Sequence, residues 1–181
     1  MTPIQKKELR EQLLLFRKNL PPHTKQRFDS SLQQHLLSWI QAQKINSLGI
    51  YWPIQNEPDL FPLYTQLHKK GITLALPVIQ ERFLHFALWV PNAPTEPGAY
   101  QIPIPISPHS FIQPQALLIP SLGFTPNKYR LGYGGGFYDR TLQKTPRPIT
   151  IGIAYQETRY HFTNEAHDIP LDIIITERGL N

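Results

Sequence analysis

The apolar positions open with two helical stretches before anything that reads as a strand. Thr2 is placed to cap a helix with Pro3 in its first turn, and Leu9, Leu13, Phe16 and Leu20 follow at helical spacing until Pro21 and Pro22 end it. A second helix is predicted from about His23 to Gln43, with Phe28, Leu32, Leu36 and Trp39 on its apolar face. The period then changes. SLGIYW is a short apolar run of strand type, a helix from about Asp59 to Lys70 closes at Gly71, and ITLALPV is the next strand. FLHFALW alternates and is predicted to complete a hairpin over residues 72–89, while ALLIP, ITIGIAY and DIIIT suit strands buried on both faces. Strands alternating with helices predict an α/β layered fold with a mostly parallel sheet. The stretch from Pro91 to Pro114 is rich in proline and shows no period, so an ordered surface loop lying against the sheet is expected there.

Composition narrows the class. A chain of 181 residues with 40% hydrophobic content suits one core, and residues 1–181 are expected to form a single domain. Lys and Arg outnumber Asp and Glu by 18 to 13, which points towards anionic partners and equally serves plain solubility. The basic residues are not gathered into long runs and no RNP-like motif is present, so nucleic acid is not an expected partner. The absence of cysteine removes disulfides, zinc–thiolate sites and a thiol nucleophile. No apolar run reaches membrane-spanning length and MTPIQKKELREQ is no signal segment, so a cytoplasmic protein without a membrane partner is expected. The histidines form no HxxxH or HExxH pair and no GxSxG turn occurs, which weighs against zinc and serine hydrolases.

Three groups of residues could carry chemistry. The first is Arg130 to Arg140, RLGYGGGFYDR, which follows the strand ALLIP and opens a helix towards Leu142. Glycine loses the most freedom on ordering, so a cluster of this kind marks positive φ or a backbone that something approaches closely; successive N–H groups there bind anions. A glycine-rich turn packed beneath aromatics explains the cluster as well, and it matches neither GxxxxGK[ST] nor the dinucleotide fingerprint. Second, Lys6, Arg10 and Arg17 project within about 40° of one another beside the leucine stripe of the first helix, either reaching inward or forming a solvated face. The third group is Asp139, Asp168 and Asp172. Mg²⁺ needs hard oxygens and takes one or two protein carboxylates, which Asp139 and Asp168 could supply; a cap or a salt bridge to Arg140 also explains Asp139, and a turn before Pro170 explains Asp168. The aromatics Trp52, Tyr133, Phe137, Tyr138 and Tyr155 offer flat surfaces to a heterocycle or simply pack the core.

RLGYGGGFYDR, preceded by IPSLGF, resembles the signature of the 5-formyltetrahydrofolate cyclo-ligases, also called methenyltetrahydrofolate synthetases. KKELR is similar to their N-terminal KxxxR element, NEPD to their acidic substrate segment, ITLALP to the strand after it, and HDIPLDIIITE to their C-terminal end, so the similarity runs in order from about residue 3 to residue 178. The resemblance implies a three-layer α/β fold related to sugar-phosphate isomerases and CoA transferases. It implies contacts to ATP from Lys6, Arg10, Arg130, Leu131, Gly132, Tyr133, Gly134, Gly135, Gly136, Phe137 and Tyr138. Trp52 and Glu57 match substrate-contacting positions, and Tyr133, Gly134, Gly135, Gly136 and Phe137 would face the folate too. Asp139 and Asp168 match magnesium positions. The implied enzyme is a monomer that uses ATP and Mg²⁺ to cyclise 5-formyltetrahydrofolate, with or without a polyglutamate tail, to 5,10-methenyltetrahydrofolate, releasing ADP and phosphate. Thr125 and Ile104 depart from the pattern, standing where Asp and Glu are common. The alternative is a sugar-phosphate isomerase or CoA-transferase-like enzyme on the related fold, which would need no ATP.

Overall fold

Leu9 and Leu13 are buried along one stripe of α1 (Pro3–Lys18), and Pro21 and Pro22 divide it from α2 (Pro22–Ala42), which buries Leu32, Leu36 and Ile40. The structure, a computed structural model, describes residues 3–106 and 110–181, so the predicted cap Thr2 lies outside the described residues. Ile40 rather than Trp39 takes the fully buried place on α2, and Phe28 sits half-buried against Tyr155, ring centroids 5.8 Å apart. Next come β1 (Ser47–Gly49), α3 (Phe61–Lys69), β2 (Thr73–Gln80) and β3 (Phe83–Leu88), the predicted strand–helix–hairpin order. Asp59 lies before α3 instead of inside it, because its Oδ1 accepts the N–H of Phe61 at 2.9 Å and so satisfies a helix-start donor.

The proline-rich stretch differs from the unpatterned loop that was expected. It folds into a separate hairpin of β4 (Thr95–Pro97) and β5 (Pro103–Pro105), followed by β6 (Phe111–Ile112), which pairs antiparallel with β3. Strands of two or three residues are too short to display a period. The chain continues through β7 (Ala116–Pro120), β8 (Gly123–Phe124), β9 (Arg130–Leu131), α4 (Phe137–Leu142), β10 (Ile149–Ile153), β11 (Ile173–Thr176) and β12 (Gly179–Leu180).

Eight strands form the main sheet in the order β12-β11-β10-β7-β1-β2-β3-β6. The run from β11 to β2 is parallel, and β3, β6 and β12 join antiparallel at the flanks. Alternation along the strands sends Leu48, Leu74, Leu76, Leu118, Ile151 and Ile153 into a core shared with α2 and α3. Ala75, Leu117, Ile119 and Ile174 face the other way, against Phe124 and Leu142 of α4. Helix, sheet and helix thus make the expected three layers.

Two features of this topology position the site. Strand β1 leads outward to β2 while its neighbour β7 leads the opposite way to β10, so a crevice opens beyond the carboxyl ends of β1 and β7. Helix α1 does not lie on the sheet: Leu9 and Leu13 pack against Leu122 and Leu131 of the β8–β9 ribbon, across that crevice.

Close packing at the centre of the sheet yields a test. A Cβ at Gly49 would stand 2.4 Å from Leu117 Cδ2 and 2.8 Å from the Phe86 ring. Gly49→Ala is expected to cost about 1–3 kcal/mol through overpacking, read in urea unfolding as a lower midpoint at unchanged slope.

Candidate active site

A cavity of about 650 Å³ fills the crevice, bounded by Tyr51 and Trp52 after β1 and by Pro120 at the end of β7. Lys6, Arg10, Trp52, Glu57, every residue from Arg130 to Asp139, and Asp168 all line it, so these candidates converge on one space, whereas Arg17, Asp172 and Tyr155 do not line it; the Tyr155 hydroxyl donates to Asp29 in the interior. A second, shallower groove of about 690 Å³ along α2 is lined by none of them.

The glycine loop runs from β9 into α4. Gly134 and Gly136 hold φ of 96° and 65°, a region closed to most side chains, and this accounts for two of the glycines directly. Helix α4 spans only Phe137–Leu142, so the loop's own N–H groups, more than a helix dipole, are what it offers an anion. Two arginines brace the loop by its carbonyls: Arg10 Nε donates to Gly132 at 2.8 Å and Arg140 Nη2 to Gly135 at 2.7 Å. Arg140 is therefore not the partner of Asp139. That carboxylate pairs with Arg130 at 2.8 Å.

Lys6 is 7% exposed and Arg17 2%, so the first helix does not present a solvated basic face. Lys6 Nζ lies 2.8 Å from Glu165 Oε1 and 3.5 Å from Asp168 Oδ2, and its hydrogen bond and charge pull the Glu165 carboxyl below its ordinary pKa. Asp139 Oδ1 accepts the N–H of Ile169 at 3.3 Å, which brings it alongside Asp168. Asp172 stands apart, bound to Arg147 and Thr150. No group of three or more His, Cys, Asp or Glu that could hold a metal occurs among the described residues. Two carboxylates lining one cavity do not make a zinc or calcium cage; they fit Mg²⁺, which draws its remaining ligands from water and phosphate.

At the other end Glu57 is 2% exposed. Its Oε1 accepts the Tyr133 hydroxyl and its Oε2 the Ile54 N–H, both at 2.9 Å. Burial raises its pKa, against the opposing pull of the Ile54 amide, the Arg17 charge and the Tyr133 hydrogen bond. Trp52 meets Phe61 and Trp89 edge-on, at 4.7 and 6.1 Å, forming an aromatic wall that is core on one side and cavity on the other.

Sequence reasoning missed Ile79, Leu84, Tyr100, Ile102, Phe162, Glu165 and His167, which also line the cavity. Pro77 carried a signal: a proline within an apolar strand marks a bare edge, and β1 pairs with β2 only as far as Ala75. Of the two departures, Ile104 lines the cavity, whereas Thr125 is buried and accepts the Tyr129 N–H at 3.1 Å within its own turn.

Residues 3–177 match the 5-formyltetrahydrofolate cyclo-ligase family. The chain belongs to that family. Over 95% of its length it is 32% identical to the 5-formyltetrahydrofolate cyclo-ligase of Mycoplasma genitalium, of which it covers 98%. The structure of a 5,10-methenyltetrahydrofolate synthetase from Mycoplasma pneumoniae matches with a TM-score of 0.79 at 28% identity, over 95% of this chain and 98% of that one. The NMR structure of the Aquifex aeolicus 5,10-methenyltetrahydrofolate synthetase matches at 0.84 and 29%, over 97% and 91%. The mixed α/β architecture with its large central sheet is thus shared with these family members.

Glu57 gives the family site here a measurable signature. A carboxyl whose native pKa lies above its unfolded value holds its proton more firmly when folded, so stability falls as pH rises from the unfolded pKa, about 4.3, through the native one. Glu57→Gln removes that loss. Its melting temperature relative to the unmodified chain should climb as pH rises above about 4.3; a difference that stays flat with rising pH would show that Glu57 ionises freely.

Proposed function

We propose that this chain converts 5-formyltetrahydrofolate to 5,10-methenyltetrahydrofolate with ATP, releasing ADP and phosphate. The observation that carries this reading is the convergence on one cavity of a positive-φ glycine loop with buried cations at one end and a buried carboxylate with an aromatic wall at the other. The first suits a polyphosphate and the second a polar heterocycle.

A formamide oxygen is a poor nucleophile and oxide a worse leaving group, so the carbon must be activated. The formyl oxygen bonds to the γ-phosphorus as the bond to the β-phosphate oxygen breaks and ADP leaves. N10 then bonds to the activated carbon, gives up its proton, and phosphate departs. Lys6, Arg10, Arg130 and the N–H groups of the glycine loop hold the phosphates and balance the charge that develops on them. Glu57 and Tyr133 hold the polar edge of the folate, and Trp52 with Phe137 offers it flat surface.

Asp139 and Asp168 are the residues we assign to Mg²⁺, which when bound supplies positive charge to the phosphate oxygens. Lys6 and Arg130 now neutralise those carboxylates. Phosphate that takes over the two cations leaves both carboxylates with free oxygens, so no buried charge is stranded. The substrate's tail, one glutamate or several, is acidic, and the net charge of +5 suits either. We place the reaction in the cytoplasm and on a monomer; among the described residues no helix is long and apolar enough to cross a membrane.

Incubation with 5-formyltetrahydrofolate, ATP and Mg²⁺ should produce the near-ultraviolet absorbance of the methenyl product, and excess chelator should abolish it. Asp139→Asn and Asp168→Asn should each need at least roughly tenfold more Mg²⁺ for half-maximal rate, and the double variant should be little worse than the poorer single one. Turnover in chelator, or unaltered metal dependence in Asp168→Asn, would return these carboxylates to pairing and turn-forming roles.

A further inference from the structure

Lys6 and Arg10 serve the phosphate end of the cavity, but Arg17, roughly two turns further along α1, does not line it. Its hydrogen bonds run to the folate end. Nε donates to the Gln55 carbonyl at 3.0 Å, and the Arg17 carbonyl accepts Asn56 Nδ2 at 2.6 Å. Gln55 and Asn56 are consecutive left-handed residues, φ 45° and 62°, a conformation that non-glycine residues keep only where their surroundings hold it. That turn presents Glu57.

Arg17 Nη2 donates to the Tyr133 hydroxyl, which donates in turn to Glu57 Oε1. The donors run one way, from guanidinium to phenol to carboxylate, and a permanently charged arginine cannot reverse them. The remaining nitrogen, Nη1, is buried with no acceptor among the described residues. An unsatisfied buried donor lowers stability, so packing alone does not explain why a cation stands here.

We propose that Arg17 is the positioning residue for folate recognition: it clamps the 54–57 turn and aims Tyr133, so that Glu57 meets the substrate as an acceptor-only carboxylate. This rests on the reaction proposed above. A ligand edge bearing adjacent N–H donors, such as the amino-pyrimidinone of the folate, is complementary to a carboxylate and not to the neutral acid. The groups around Glu57 are Arg17 from α1, Tyr133 from the glycine loop, Tyr138 from α4, Tyr51 beyond β1 and Tyr64 on α3. Arg17 is the only cation among them, and its charge opposes the burial that favours protonation.

The test is equilibrium binding of 5-formyltetrahydrofolate, followed by tryptophan fluorescence across pH, with ATP binding measured alongside. Arg17→Met should weaken folate binding roughly tenfold to a hundredfold near neutrality and move the loss of affinity on acidification to higher pH. Alkaline pH should restore much of it, Arg17→Lys should fall in between, and ATP affinity should stay within about twofold. A wild-type folate profile in Arg17→Met overturns the proposal, as does equal loss of both ligands without recovery by pH or by lysine. If Arg17→Met does not fold, Arg17→Lys and Tyr133→Phe carry the test, and unchanged folate profiles in both overturn it. An unmodified chain that binds the folate but turns none over overturns the reaction and leaves this assignment standing; one that binds no folate overturns both.

Discussion

The seating of α1 on the β8–β9 ribbon governs the site. Leu9 and Leu13 close against Leu122 and Leu131, and Gly123 allows the approach, since a Cβ there would stand 2.7 Å from Leu13 Cδ1. Each buried leucine contributes about 1.5–3 kcal/mol. Holding a charge away from water costs several kcal/mol per ion, so this apolar contact is of the right order to carry the buried Lys6 and Arg17 into place. One helix thereby delivers Lys6 to Glu165 and Asp168, Arg10 to the glycine loop and Arg17 to the turn before Glu57.

With the cations fixed, the rest of the cavity is arranged so that none stands alone. Lys6 has Glu165 and Asp168, Arg130 has Asp139, and Arg17 has the phenol that leads to Glu57. The arrangement is preorganised for anions without exposing bare charge, as a phosphoryl-transfer site requires. Between the two ends the glycine loop carries Tyr133, so the element that offers N–H groups to phosphate also completes the carboxylate's hydrogen bonding.

Much of this was legible in the residues themselves. Leu9 and Leu13 recur at helical spacing, the short runs ALLIP and DIIIT suit buried strands, and four glycines between 132 and 136 are costly enough to mark a special turn. What stayed hidden depended on distance in space. The two-residue strands β8 and β9 have no period, so nothing in the pattern shows the surface on which α1 rests. Asp139 looked towards its sequence neighbour Arg140, yet Arg140 is taken by the carbonyls of Gly135 and Arg82, and Arg130 reaches Asp139 across the loop instead. The turn that buries Glu57 uses Gln55 and Asn56 at positive φ without a glycine to mark it. Helical angle placed Arg17 beside Lys6 and Arg10 but could not reveal that its partners belong to the opposite end of the cavity.

Truncating the helix seat probes this arrangement at its root. In Leu13→Ala, affinities for ATP and for 5-formyltetrahydrofolate should fall together, because one displaced helix withdraws Lys6 and Arg10 from the first and Arg17 from the second. Cooperative unfolding of the sheet should persist, since α1 lies off it. Wild-type affinity for both ligands in a folded Leu13→Ala chain would contradict the claim that the α1 seat holds the site together.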